Sequence, residues 1–282
     1  MFWLLDGALQ LQPAMFTARF ARQVVAPAAA GQPGWVAWPA LHSAHLIASH
    51  PVVSDLGFAL VQLALGLFLL VPRTARAALL ASMAWAAGVW AVGEGFGGIA
   101  GGTASALTGA PGAALLYAVL AVAAWPEDAR SSDGGPAGPV GAWFAGAWAA
   151  LWVALGLSAL LPANRSAGRV AAQLTQVAGS VPGWLARVDH VVAGSIRDSG
   201  WAAVVVLTVA PMVVGLAGLG GGRVRRRAAG AGVALAVATW AVGEGFGQLG
   251  SGIATDPNTG PLLVVAALAL LGTTDRPSGR ER

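Results

Sequence analysis

The sequence predicts an all-α protein: a polytopic transmembrane helical bundle made of two parallel pseudo-twofold repeats of about four helices each. Three observations lead there. Of the 282 residues, 56% are hydrophobic and only 10% are charged, against roughly 25% charged in a soluble domain. The apolar residues gather into long uncharged runs, the mark of membrane spans. The chain also repeats itself, most visibly in WAVGEGFG at 90–97 and again at 240–247.

The duplication sets the organisation. LQPAMFTARFARQVVAPAAAGQPGW (11–35) lies over LLPANRSAGRVAAQLTQVAGSVPGW (160–184), so Pro13 pairs with Pro162 and Trp35 with Trp184. From about residue 56 the register shifts by one, which places Arg73 on Arg223, Trp90 on Trp240 and Glu94 on Glu244. In this register Gly109-Ala110-Pro111 lies over Thr259-Gly260-Pro261. The expected domains are a first repeat at 1–126, a polar Gly/Pro/Ser linker at 127–139, a second repeat at 140–276 and a tail at 277–282.

The candidate spans follow in order: 53–71, 78–93, 112–125, 140–161, 201–219, 228–243 and 260–272. Met1–Gln12 stands in the place of the first span of a repeat and is too short to cross about 30 Å of hydrocarbon. It has no basic n-region and carries Asp6, so it does not read as a signal peptide. Between it and the next span, Phe16, Phe20 and Val24 recur at four-residue spacing with Arg19 and Arg22 on another face. That pattern fits an amphipathic helix at the interface. Trp35, Trp38 and Trp184 follow Pro-Gly turns and read as interfacial anchors. Asp55, after Ser54 at the start of a span, reads as an N-cap, and Asp256 in TDPNTGP as a turn residue.

An even number of spans per repeat gives both halves one orientation, related by an axis along the membrane normal. Short loops rich in arginine (Arg73, Arg76, Arg223, Arg225–Arg227) should be cytoplasmic with the C-terminus, and the long segments 14–50 and 163–199 outside. All 16 basic residues are arginine, which with the Ala and Gly content points to a bacterial plasma membrane. The arginines are dispersed between apolar runs, so a lipid bilayer and not nucleic acid is the expected partner.

Chemistry is sparse. Without cysteine, disulfides, thiolate metal sites and a cysteine nucleophile are excluded. GEGFG is not a dinucleotide fingerprint and follows no strand. No hydrolase triad or zincin motif occurs, so an enzyme is not the expected class. Glu94 and Glu244 are carboxyls close to membrane depth, where charge costs a few kcal/mol and usually serves a purpose. With Trp90, Trp240, Phe96 and Phe246 they form the candidate ligand- or ion-binding set. Each Glu reads equally as a structural acceptor for loop amides. His42, His45 and His50 form a second candidate set, for Cu or Zn, since His42 and His45 share a helical face. A solvated histidine cluster is the competing reading.

An apolar first helix ending in Leu-Gln-Pro leads to an amphipathic segment with Phe16 and Phe20. FALVQLALGLFLLVPRTARAALLASMAWA (58–86) follows. This unit resembles the DoxX-type bacterial membrane proteins, which are four-helix units. The resemblance covers about two-thirds of each half, and the tandem doubling and the GEGFG element depart from it. It implies association with a membrane redox system such as a respiratory complex, and a quinone-like ligand bound without catalysis. Against this stands a transporter or channel for protons, metal ions or a small solute that uses the paired glutamates.

Overall fold

The computed structural model describes residues 1–126 and 143–272. The linker 127–139, the start of the apolar run 140–161, Arg130 and the tail 277–282 lie outside the described residues. Among those described there are 12 α-helices joined by short π and 3-10 turns, and no strand.

In the first half, α1 (Phe2–Gln10) is followed by α2 (Ala18–Phe20), α3 (Gly34–Ser49), α4 (Pro51–Leu69), α5 (Ala75–Gly88) and α6 (Ala113–Ala123). In the second half the order is α7 (Trp143–Ser158), α8 (Ala167–Ala178), α9 (Gly183–Ser199), α10 (Trp201–Ala217), α11 (Gly222–Val242) and α12 (Thr259–Gly272). The two lists correspond helix for helix. So do the main contacts: α1 packs on α4 as α7 packs on α10, and α5 on α6 as α11 on α12.

Two glycine pairs explain how α1 and α4 lie so close. A Cβ on Gly7 would stand 2.6 Å from Leu63, and one on Gly66 would stand 2.6 Å from Leu4. In the second half Gly156 meets Met212 at 2.6 Å, and Gly215 meets Ala149 and Trp152 at 2.9 Å. Small residues let helices approach where no water drives them together. These contacts align Gly66 with Gly215, so the register shift falls after Gly66 and not near residue 56. The last loops also differ from the sequence expectation. Trp90 Nε1 donates to the Pro111 carbonyl and Trp240 Nε1 to that of Pro257, so Pro111 corresponds to Pro257 and not to Pro261. The second loop is shorter, and Ala110 corresponds to Asp256.

Two helices are long and apolar enough to cross a membrane: Pro51–Leu69, and α5 extended through its terminal π-turn to Gly93. A third arises if α9 and α10, bent by 107° at Gly200, count as one span. Of the other expected spans, α6, α7 and α12 are shorter helices of 11, 16 and 14 residues, and α11 has 21 residues but carries four arginines near its start.

The expected amphipathic helix at Phe16–Val24 is regular only in the second half, as α8. In the first half it breaks into α2, a π-turn at Ala21–Val25 and a 3-10 turn at Ala26–Ala29. Pro27 is the physical cause: it has no amide to donate and its ring crowds the preceding turn. Asp55 is not a cap. α4 begins at Pro51, and Asp55 lies inside the helix with neither carboxylate oxygen partnered. Trp35, Trp38 and Trp184 are exposed.

The loops of the two halves cross over. Gln12 Nε2 donates to the Ala254 carbonyl (3.2 Å), and Asn164 Nδ2 donates to that of Ala104 (2.7 Å). Each loop therefore packs against the opposite half, and the second-half loop brings Thr255 and Asp256 to first-half helices.

Candidate functional site

The GEGFG turns begin where α5 and α11 end, and both make the same bend. Glu94 N bonds back to the Val89 carbonyl and Glu244 N to that of Thr239, each at 3.0 Å. Three residues in a row are then left-handed: Gly95, Phe96 and Gly97 at φ 54°, 56° and 61°, and Gly245, Phe246 and Gly247 at 55°, 55° and 67°. Glycine takes this conformation without steric cost, whereas phenylalanine does not. The ring of Phe96 is held edge-on to Trp90 and that of Phe246 edge-on to Trp240, both with centroids 5.0 Å apart. The aromatic pairs thus fix the turn.

The bend returns the glutamate to the start of the next helix. Glu94 Oε1 accepts from Ala114 N (3.0 Å) at the head of α6. Glu244 Oε2 accepts from Thr259 N (3.0 Å) and Gly260 N (3.3 Å) at the head of α12, and its Oε1 accepts from the Thr259 hydroxyl. The first amides of a helix have no intrahelical partner, and its N-terminus favours negative charge. Both glutamates therefore cap a helix from a distance, Glu244 together with the local Asn258, whose Oδ1 also accepts from Thr259 N at 2.8 Å. This is why the motif occurs twice.

The two differ at the remaining oxygen. Every carboxylate oxygen of Glu244 is hydrogen-bonded, whereas Glu94 Oε2 is buried without a partner. Glu94 also lines a cavity of about 340 Å³ between α1, α4, α5 and α6, and Glu244 lines neither this cavity nor the corresponding one of its own half. Asp6 and Gln10 of α1, Gln62 of α4, Trp85 of α5 and Tyr117 of α6 line it with Glu94, and Asp256 enters from the second-half loop. Tyr117 donates to Asp6 Oδ2 (2.6 Å) and its ring stacks on Trp3 at 4.4 Å. Asp6 Oδ1, Gln10 Oε1, Gln62 Oε1 and Trp85 Nε1 are buried without partners. Asp6 and Gln62 are only 1% and 6% exposed.

Three carboxyls thus share one cavity, and among the described residues no Arg or His lines it. The electrostatics follow for the groups in the turns beyond the helix ends. Burial pushes the Glu94 carboxyl up to about 8 and the Asp256 charge adds to this, against the amides of Ala114 and Ala113. Burial also raises Asp256, which Thr255 and the Asn258 amide oppose by hydrogen bonding. Glu244 is raised less, to about 7, since burial works against three donors from Thr259 and Gly260.

The second half holds a corresponding cavity of about 100 Å³ under α7, α10, α11 and α12. At the places of Asp6, Gln10, Gln62, Trp85 and Tyr117 it has Leu155, Ala159, Pro211, Leu235 and Leu263. The same helical frame is therefore built with apolar residues there, so the fold does not require the polar set.

Of the residues proposed from the sequence as a ligand, ion or metal set, Glu94 is the one that lines the first-half cavity. Trp90, Trp240, Phe96, Phe246 and Glu244 build the turns. His42, His45 and His50 are exposed on or just after α3, and the His42 ring stacks on Trp38 at 5.1 Å. Among the described residues no group of three or more His, Asp or Glu side chains is placed to hold a metal ion, so the expectation of a Cu or Zn set is not met. His50 lies past the end of α3, at φ −135°, and leaves the face that His42 shares with His45. Asp256 is the turn residue expected, accepting from the Thr255 hydroxyl and the Asn258 amide, each at 2.7 Å; sequence reasoning missed its place in the cavity, and missed Asp6, Gln10, Gln62, Trp85 and Tyr117. The signal was present: Gln62 interrupts an apolar run, and Asp6 and Gln10 align with Leu155 and Ala159.

No family model, no curated protein and no solved structure matches this chain.

Proposed function

We propose that this chain is a multi-spanning membrane protein that binds a small molecule, without converting it, in the acidic cavity of its first half. The observation that carries the reading is the contrast between the halves. One frame holds an enlarged cavity lined by three carboxyls and by unpartnered oxygens of Asp6, Gln10, Gln62 and Glu94, the other a smaller, mainly apolar one without a carboxyl, where the Trp152 indole is unpartnered. Buried polar groups without partners cost about 1–3 kcal/mol each, and a fold that can do without them keeps them for a ligand.

The membrane setting rests on the two 19-residue apolar helices and on outward apolar faces. α4 exposes Val53, Leu60, Leu67 and Phe68, and α10 exposes Val206, Val213 and Leu216. Apolar patches of this extent do not face water in soluble monomers. The helix-for-helix correspondence supports two repeats in one orientation, and the resemblance to DoxX-type units supports four helices in each. A path for protons or ions through paired glutamates has less support, since Glu94 borders the cavity of its half and Glu244 does not border that of its own.

Gly88 offers a clean test. It lines the cavity, and a Cβ there meets nothing within 4 Å. Gly88→Leu should fill the space and keep the melting temperature at or above that of the wild type, because leucine is a better helix former by about 0.8 kcal/mol. Mass spectrometry of protein purified in detergent should find a small molecule with the wild type and none with Gly88→Leu. Equal amounts in both proteins, or none in either, would count against a ligand in this cavity.

The orientation is proposed from the arginines. Arg73, Arg76, Arg223 and Arg226 lie at the ends of α5 and α11 opposite the GEGFG turns. With no native cysteine to interfere, Ala30→Cys and Ser180→Cys, both at exposed positions, should react with an impermeant maleimide on intact cells. Labelling only after lysis would place the arginine side outside.

A further inference from the structure

We infer that the ligand of the acidic cavity is a small organic cation, an amine with an apolar body. The inference deepens the binding reading above and rests on it. Three carboxyls, those of Asp6, Glu94 and Asp256, line the cavity without a basic partner among the described residues. A ligand that supplies positive charge and N–H donors answers that imbalance, and hydrogen bonds between charged groups are the stronger kind.

The rest of the wall is apolar and aromatic. Trp3 and Tyr117 stack on one side, and Phe20 and Phe58 meet with centroids 6.4 Å apart on another. Aromatic faces attract an ammonium group and also suit an apolar body. A cavity of about 340 Å³ has room for a small organic molecule. A bare metal ion would leave most of this space unfilled. A quinone presents carbonyl oxygens alone, which are acceptors and need these carboxyls protonated, whereas an ammonium group holds them in the charged form. A neutral alcohol supplies one donor and no charge.

The divergence of the halves points the same way. Asp6 and Asp256 correspond to Leu155 and Ala110, so two of the three carboxyls are confined to one cavity. Asp256 reaches it only through the loop that crosses from the second half. The site is therefore built from both halves, and neither alone carries the full charge.

The test uses the full chain in detergent with three probes: phenethylamine, its neutral isostere 2-phenylethanol, and a short-chain quinone. Tryptophan fluorescence and calorimetry read binding. Phenethylamine should bind at least about tenfold more tightly than the alcohol or the quinone. Glu94→Gln, Asp6→Asn and Asp256→Asn should each weaken the amine about tenfold or more and leave the alcohol nearly unchanged. Glu94→Gln keeps an acceptor for the Ala114 amide. Should it melt early, Asp6→Asn, which keeps an acceptor for Tyr117, decides. Gly88→Leu should abolish amine binding.

Equal affinity for amine and alcohol, preference for the quinone, or no amine binding would overturn the cation. In the first two cases, loss of binding in Gly88→Leu would leave the cavity reading standing. Probes that bind Gly88→Leu as well as the wild type would overturn both.

Discussion

Glu244→Leu should lower stability by about 2–4 kcal/mol, beyond the effect of Glu94→Leu, although the two glutamates stand in identical eight-residue stretches. Glu244 accepts from the Thr259 amide, the Gly260 amide and the Thr259 hydroxyl. The Gly260 amide belongs to the first turn of α12, where no intrahelical carbonyl can take it, whereas the Thr259 amide keeps a second acceptor, Asn258 Oδ1 at 2.8 Å. Each buried donor left unpaired costs about 1–3 kcal/mol. Glu94 Oε1 accepts from the Ala114 amide at 3.0 Å, with the Ala113 amide also acting on the carboxyl, and its Oε2 has no partner to lose. Leucine there should cost about 1–2 kcal/mol, partly offset because a buried carboxyl is removed. At about 2–4 °C per kcal/mol for a protein of this size, the melting temperature of Glu244→Leu should fall by roughly 10 °C and that of Glu94→Leu by a few degrees. Equal shifts would show that the two carboxylates do the same work, and would remove the reason for assigning a ligand to Glu94 alone.

Gly97→Ala should unfold the first GEGFG turn. The backbone stands at φ +61°, and a Cβ there would lie 2.1 Å from the Pro111 carbonyl oxygen and 2.6 Å from its carbon. Left-handed backbone costs alanine about 1–2 kcal/mol. The contact is with backbone that cannot rotate away, because Pro111 is held by the Trp90 indole at 2.7 Å. The total should exceed about 3 kcal/mol, the range reached by strain and overpacking. Gly88→Ala is the control. Its Cβ meets nothing within 4 Å and its helical backbone favours alanine, so it should be neutral or stabilising by up to about 1 kcal/mol. Thermal unfolding of the two variants reads the difference. A Gly97→Ala protein that melts with the wild type would rule out the left-handed turn and with it the return of Glu94 to α6.

The sequence by itself determined the helical class, the duplication and the apolar character. Each is written in residues near one another along the chain: uncharged runs, repeated octets, arginines between spans. It also marked Glu94 and Glu244, because a carboxyl inside an apolar run is costly wherever the run folds. The tertiary structure alone decided which glutamate has an unpaired oxygen. That depends on the residue at the head of the following helix, Ala113 in one half and Thr259 in the other, and so on loops of unequal length. It alone set the register, since the shift after Gly66 is read from glycines in contact between helices. It alone gathered the cavity. Asp6, Gln62, Glu94, Tyr117 and Asp256 are scattered over the chain, and each had a plausible local reading as a terminal, span or turn residue. A binding site of this kind is a coincidence of side chains in space. No periodicity records it, and only the packing of α1, α4, α5 and α6 under the crossing loop brings the charges together.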